Sequence, residues 1–346
     1  MTDDALNERQ QRRIAAARSE RLAPWLERGT ATATGAAEVG VVITHFRGEV
    51  EVQAIRDGEP LRCFLRATAE SVVTGDRVLF ERARDEQGRS VPGRGVVTAR
   101  LPRDSLLARH TARGLRPVCA NLDLVLITIA PEPAPHADLV DRYLLAAAMD
   151  HMDAAIVLNK ADHPAAASSA ITALLDVYED LGLPVLRVSA ATGAGLDALS
   201  DLIEGSSAAF VGQSGVGKSS LINALAPEAA AQVGTLSERR NRGRARGRHT
   251  TSTTRLYRRG RGVIVDSPGI REFVPDVPDP ASLALGFPEI VAAAEACRFR
   301  DCRHDQEPDC AVRAALARGT IHRSRLDSFI LLRDEALARS RASTDR

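Results

Sequence analysis

Aromatic residues make up only 3% of this 346-residue chain. Base stacking needs exposed rings, so any nucleic-acid surface here must rest on few of them. Cysteine is also scarce: there are 5, and Cys297, Cys302 and Cys310 are crowded together. That is no disulfide framework, and a reducing cytoplasm is expected. No apolar run approaches the roughly 18 residues of a membrane-spanning helix, so none is expected. The opening MTDDALNERQQRRIAAARSERLAPW has no apolar stretch of the kind a secretory signal needs. The net charge is +1, so no global field draws the chain to nucleic acid and local basic runs must do so. What remains is 44% hydrophobic and 26% charged, an ordinary soluble mix with room for two or three domains.

Residues 1–35 read as a flexible basic arm, with a short RNA-contacting helix as the sharper alternative. Over 36–103 the runs EVGVVITHF, GEVEVQAI, PLRCFLRA, GDRVLFERA and GRGVVTARL are β-rich and separated by Gly, Asp and Pro. They suggest a small closed barrel, OB-like or SH3-like, which could hold nucleic acid. Phe46, Phe64 and Phe80 could serve that surface or equally the core. The basic stretch with Arg103, Arg109, His110, Arg113 and Arg116 reads as a linker. From 104 to 276, apolar strands such as LDLVLITIA and DAAIVLNK alternate with helical patterns, the mark of an α/β doubly wound sheet. Leu196, Leu199, Leu202 and Ile203 share one helical face there. Residues 277–346 read as a loop followed by basic amphipathic helices. Cys63 and Cys119 sit in apolar strand patterns and are expected to pack.

Gly212-Gln213-Ser214-Gly215-Val216-Gly217-Lys218-Ser219 fits the phosphate-loop pattern in full, and Ser220 continues into a helical run. The glycines let backbone N–H groups close on phosphate oxygens. Lys218 can neutralise the β and γ phosphates, and the Ser219 hydroxyl can ligate Mg²⁺. Base choice is read from Asn159-Lys160-Ala161-Asp162, which follows a buried strand. The Asp162 carboxylate only accepts, which suits the two donors on the guanine edge. Asn159 can fix the loop, and the Lys160 stem can cover the base. Ser189 and Ala190 follow the next strand, where small residues let a backbone N–H reach the guanine oxygen. Asp266 can hold a Mg²⁺-bound water, and the Gly269 N–H can reach a γ-phosphate. Thr250 or Thr251 would ligate Mg²⁺ in the triphosphate state, and the sequence does not choose between them.

In an ordinary GTPase the phosphate loop comes first and the base-reading motifs last. Here the last two come first, which implies a circularly permuted domain joined through residues 191–210. Such permutation is cheap when the native termini lie close together. This order, with GQSGVGKSSLINAL, GRHTTSTTRLY, VDSPGIREF and CRFRDCRHDQEPDC, resembles the ribosome small-subunit-dependent GTPase (RsgA) family over about residues 38–335. The resemblance implies an enzyme that hydrolyses GTP, is stimulated by the small ribosomal subunit and acts late in its maturation. A cytoplasmic monomer that contacts rRNA and has no membrane association is the expectation.

Cys297-x4-Cys302-x-His304-x5-Cys310 offers three thiols and an imidazole. That set suits tetrahedral Zn²⁺ with no open position, hence a structural metal. In the resembling family these positions bind zinc. His322 lies outside the spacing. The water-orienting glutamine expected after the Asp266–Gly269 motif is replaced by Ile270, which cannot polarise water. His249, beside the switch threonines, is the candidate catalytic residue. The Arg239–Arg248 run before it is a basic loop suited to rRNA phosphate. Two competing readings stand: a P-loop ATPase whose barrel holds single-stranded DNA, and a non-enzymatic RNA-binding zinc protein. The Asn159–Asp162 motif opposes the first. Intact Lys218, Ser219, Asp266 and Asp162 oppose the second.

Overall fold

A computed structural model describes residues 37–46, 48–55, 59–66, 71–111, 114–227, 254–266, 273–275, 277 and 280–344. The basic arm, the Arg239–Arg248 run, His249, Thr250, Thr251, Gly269 and Ile270 lie outside the described residues.

Strands β1 (Glu38–His45), β2 (Glu49–Ala54), β3 (Leu61–Leu65), β4 (Arg77–Arg84) and β5 (Ser90–Arg100) pair in the order β1-β2-β3-β5-β4, and β4 returns to β1. The β3–β5 pairing is parallel and the others are antiparallel, which closes an OB-like barrel. Period-two alternation drops Val50, Val52, Cys63, Val78, Phe80 and Val97 into one apolar interior. The three phenylalanines divide. Phe80 is core, Phe46 is half-buried, and Phe64 is 51% exposed.

The expected linker is instead a hairpin, β6 (Leu106–Thr111) against β7 (Gly114–Ala120). Leu107 faces Cys119 across it, and both join the main core. The hairpin's buried positions are few, Leu107 and Ala108 on β6 and Cys119 and Ala120 on β7, and Arg109 and Arg116, paired across it, mask them in the composition. Arg103 is no linker residue either. Its guanidinium grips the fully buried Asp76 at 2.7 Å. Arg113 lies outside the described residues.

The second sheet runs β10 (Val185–Arg187), β9 (Asp153–Leu158), β8 (Leu124–Ile129), β11 (Ser207–Val211), β13 (Gly262–Asp266), β12 (Arg255–Arg259). Strands β8, β11 and β13 are buried at every position, as a parallel sheet covered on both faces requires. Its two faces carry separate apolar clusters. The helices are α1 (Ala137–Met149), α2 (Ser169–Asp180), α3 (Leu196–Ile203) and α4 (Lys218–Leu225). Leu199, Leu202 and Ile203 of α3 are buried as one face, with Leu196 packed at its edge. At the other edge β12 meets β1 at Thr44↔Arg255, so the sheet runs on into the barrel.

The C-terminal part begins with a 3₁₀ turn, Pro280–Gly286, followed by α5 (Pro288–Ala294), α6 (Ala311–Ala317) and α7 (Arg323–Thr344). Phe287, Ile290, Val312 and Leu332 form its core, which also takes in Leu145 from α1. Polar groups lock the junction. Arg325, 1% exposed, donates to Asp141 of α1 at 2.7 Å, to Glu289 at 2.7 Å and to the Gly286 carbonyl at 2.6 Å. Its guanidinium also lies 4.2 Å over the Phe287 ring. Arg142 adds a bidentate pair with Glu335. Among the described residues no helix is long and apolar enough to cross a membrane.

Candidate nucleotide site and metal centre

Ligands of doubly wound sheets bind beyond the carboxyl ends of the strands. There β9 delivers Asn159, β10 leads to Ser189, β11 opens the phosphate loop and β13 ends on Asp266. Register sets the spacing: Phe210 of β11 pairs with Asp266, and Val211 with Ile127.

The loop approaches its neighbours too closely for side chains. A Cβ on Gly212, at φ 127°, would fall 2.1 Å from the Thr128 carbonyl oxygen. One on Gly217, at φ 93°, would fall 2.3 Å from Asn159 Nδ2. Only glycine fits either place. Lys218 curls back over the loop and donates to the carbonyls of Gly212 at 3.0 Å and Gln213 at 2.8 Å. Burial pushes its ammonium down to about 8, and nearby Asp266 works against that. Ser219 Oγ lies 3.2 Å from Asp266 Oδ2. A hydroxyl beside a carboxylate is an oxygen set that suits Mg²⁺.

Residues 159–162 and 189–190 lock onto this loop. Asn159 is 2% exposed; its Nδ2 donates to the Val216 carbonyl at 2.9 Å, and its Oδ1 accepts the Ala190 N–H at 3.2 Å. One side chain thus ties three motifs together. The Ala190 N–H expected at the guanine oxygen is donated to Asn159 here. Lys160 Nζ donates to the carbonyls of Gly215 at 2.8 Å and Glu132 at 2.7 Å. Lys160 and Lys218 are the two lysines of the whole chain. A compact ammonium on a flexible stem can bridge two carbonyls, a task to which a planar guanidinium is less suited. The Ser189 hydroxyl, and then its own backbone N–H, hold the exposed Asp162 carboxyl below the usual carboxylate range.

Sequence reasoning missed Tyr143 and Phe273. They are buried and stacked at 4.3 Å beside the phosphate loop. A lone ring in an apolar helix carries no signal in a sequence. Asp141 and Arg142 were also passed over, although a charged pair inside the otherwise apolar helical run LVDRYLLAAAM was a readable oddity.

The four metal-site ligand atoms of Cys297, Cys302, His304 and Cys310 all lie within 4.8 Å of one another. Cys297 Sγ is 4.0 Å from Cys310 Sγ and 3.7 Å from His304 Nδ1, and Cys310 Sγ is 3.6 Å from that nitrogen. A tetrahedral zinc with bonds of about 2.3 Å needs ligand edges of about 3.8 Å, so the residues fit the ion. His304 and Asp309 adopt positive φ, 61° and 58°, to turn the short loop inward. Glu307 braces it by accepting the N–H groups of Arg303 and Asp305. Its own amide and that of Arg303 hold its carboxyl down to about 2. His322 is elsewhere, 3.0 Å from Asp180.

A model of the RsgA GTPase family matches residues 100–275. The chain is 44% identical over 343 residues to a Pseudomonas fluorescens protein named small ribosomal subunit biogenesis GTPase RsgA, covering 95% of this chain and 96% of that one. It is 46% identical over 322 residues to the Azotobacter vinelandii protein of the same name, covering 91% and 90%. Among solved structures, YjeQ from Thermotoga maritima matches with a TM-score of 0.64 at 27% identity, covering 87% of this chain and 99% of that one. YloQ, described as a circularly permuted GTPase, shares the fold with a TM-score of 0.61 at 23% identity, over 90% and 98%. Identity at this level across nearly the whole of both chains accounts for the reversed motif order: the chain belongs to the RsgA GTPase family.

Proposed function

We propose that this GTPase works on the small ribosomal subunit as an assembly factor, late in its maturation, and turns over GTP when docked there. The observation that carries the reading is the grip of Asn159 and Lys160 on the phosphate loop, which brings base reading and phosphate binding into one cleft. Asp162 reads the guanine edge, and Ser189 and Ala190 close over it. Residues 212–220 cradle the phosphates. Ser219, Asp266 and one of Thr250 or Thr251 would hold Mg²⁺, which neutralises phosphate charge when bound. Gly269 reaches the γ-phosphate, and His249 orients the attacking water. Residues 36–103, 104–276 and 277–346 serve as barrel, GTPase and zinc-binding domains.

The relatives' name supports the subunit as partner. For rRNA, the barrel offers Arg62 at 4.7 Å over the Phe46 ring and Arg94 at 5.9 Å over the exposed Phe64 ring. Cation-backed rings of this kind suit bases and phosphates together. The Arg239–Arg248 run would add a salt-sensitive contact. The protein acts as a cytoplasmic monomer.

The test is GTP turnover with and without small subunits, at low and high salt, for wild type and His249→Ala. Stimulation that fades at high salt and disappears in His249→Ala, with GDP affinity unchanged, is the expected result. Equal rates in all four wild-type conditions would remove the subunit from the account. ATP competing as well as GTP would remove the guanine reading.

A further inference from the structure

The barrel pairs with the second sheet at Thr44 of β1 and Arg255 of β12. Register extends that pairing in both directions. Thr44 stands opposite Glu51 of β2, and Arg255 stands opposite Asp266 at the end of β13. The first residue of β12 therefore lies between a barrel carboxylate and the carboxylate of the nucleotide cleft. Residues directly opposite in an antiparallel pair leave the same face, with Cβ atoms about 5 Å apart. A guanidinium at 255 is thus within reach of Asp266.

In the structure that guanidinium is turned toward the barrel. Arg255 Nη2 lies 3.7 Å from Glu51 Oε2, across the width of β1, and each side chain is 17% exposed. Glu51 Oε2 is buried and takes no hydrogen bond among the described residues, so Arg255 is the charge set against it. A buried carboxylate oxygen without a cation is costly, which keeps the guanidinium in place. The barrel also seats the preceding residue: Thr74 Oγ1 donates to the Thr254 carbonyl at 3.2 Å. The cleft gains from this arrangement. Asp266 Oδ2 lies 3.2 Å from Ser219 Oγ, the oxygen pair that suits Mg²⁺. A guanidinium on Asp266 would compete with the ion for the same carboxylate.

We infer that Glu51 is a positioning residue for the Mg²⁺–nucleotide site: by holding Arg255 on the barrel, it leaves the Asp266 carboxylate to the metal. The inference rests on the reading of Asp266 as a Mg²⁺-site residue and not on the ribosomal one, so its test contains no ribosomal subunit. If Glu51 and Arg255 only joined two parts of the chain, their loss would lower stability and leave the Mg²⁺ requirement alone.

The test measures binding of a non-hydrolysable GTP analogue to the full-length chain as Mg²⁺ is titrated, with affinity in excess EDTA and melting temperature alongside. Glu51→Gln keeps the shape and removes the charge that holds Arg255. The Mg²⁺ concentration at half-maximal gain in affinity should rise about fivefold, the worth of one partly exposed ion pair, with affinity in EDTA unchanged. Arg255→Gln removes the competitor, so it should need no more Mg²⁺ than wild type. The double variant should return to the Arg255→Gln value, because Glu51 acts through Arg255. Glu49→Gln makes the same charge change on the same face of β2, where Glu49 pairs with Arg62 and Arg94 instead, and should keep the wild-type Mg²⁺ requirement. A Glu51→Gln midpoint within about twofold of wild type overturns the inference. So does a raised requirement in Arg255→Gln, an unrestored double variant, or an equal rise in Glu49→Gln. Asp266→Asn probes the underlying reading separately: a wild-type Mg²⁺ requirement there would remove Asp266 from the metal site, and the role of Glu51 with it.

Discussion

Lys218 and Arg325 are both cations taken out of water, at 6% and 1% exposure. Their surroundings could hardly differ more. Lys218 rests on two backbone carbonyls, and burial drags its ammonium down to about 8. Arg325 is met by two carboxylates, a carbonyl and an aromatic face. Neutral carbonyls offset part of a buried charge and leave it open to a better partner. Carboxylates neutralise it in place. The cleft therefore keeps a cation ready for an incoming anion, whereas the junction of α1 with α5 and α7 spends its cation on holding two parts of the chain together.

The sharpest test of that division starts at the metal. Removal of zinc with a strong chelator, or Cys310→Ser, takes away a contribution of about 10 kcal/mol to folding of the region it holds. The core built on Phe287, Ile290, Val312 and Leu332 should open, and with it the Arg325 clamp. If the cleft is independent of the junction, GDP affinity should survive while proteolysis enters residues 288–344. Loss of GDP binding together with the C-terminal core would join what the comparison separates.

Next in size is a matched pair of substitutions. Arg325→Met strands the Asp141 carboxylate in the interior and should cost about 3–5 kcal/mol in denaturant unfolding. Lys218→Met removes a cation that hydrogen-bonds only to carbonyls and lies near, not against, Asp266, so it should melt close to the wild-type temperature. It should also lose about a hundredfold in GDP affinity, the worth of charged hydrogen bonds to phosphate. Equal destabilisation by the two changes would break the distinction.

Much of the cleft was legible because its chemistry demands residue types at fixed spacings. The patterns single out Gly212 and Gly217, where a Cβ would clash, and Asn159, which ties the loop to its neighbours, and the thiol–imidazole spacing foretold the cluster at 297–310. The strands β8, β11 and β13 were legible because burial on both faces writes an unbroken apolar run. The β6–β7 hairpin was not, because its buried residues are few and adjacent, with Arg109 and Arg116 beside them and no two-residue alternation to mark a strand. The junction was illegible for a different reason. Arg325 and Asp141 stand far apart in sequence, and only the packing of α7 on α1 brings them together. Tyr143 and Phe273 belong to the same class, since a stack between distant rings leaves no periodic trace.

The smallest effect is expected where the comparison is most delicate, between two aspartates. Asp141 answers to a guanidinium, whereas Asp162 answers to a hydroxyl, that of Ser189, which holds its carboxyl below the usual range. A depressed carboxylate stays ionised, and so able to accept from guanine, until the pH falls through its lowered pKa. Ser189→Ala should let that pKa drift up toward the ordinary value of about 3.9. At neutral pH both forms are ionised, so GDP affinity should drop only about two- to threefold, the loss of one partner hydrogen bond. On acidification the variant should lose affinity at a higher pH than wild type, because its Asp162 is protonated first. GDP titrations stepped down from neutral pH toward the carboxylate range measure the offset directly. Superimposable curves would mean that Ser189 does not tune Asp162, whose charge would then rest on its own backbone N–H and on solvent exposure.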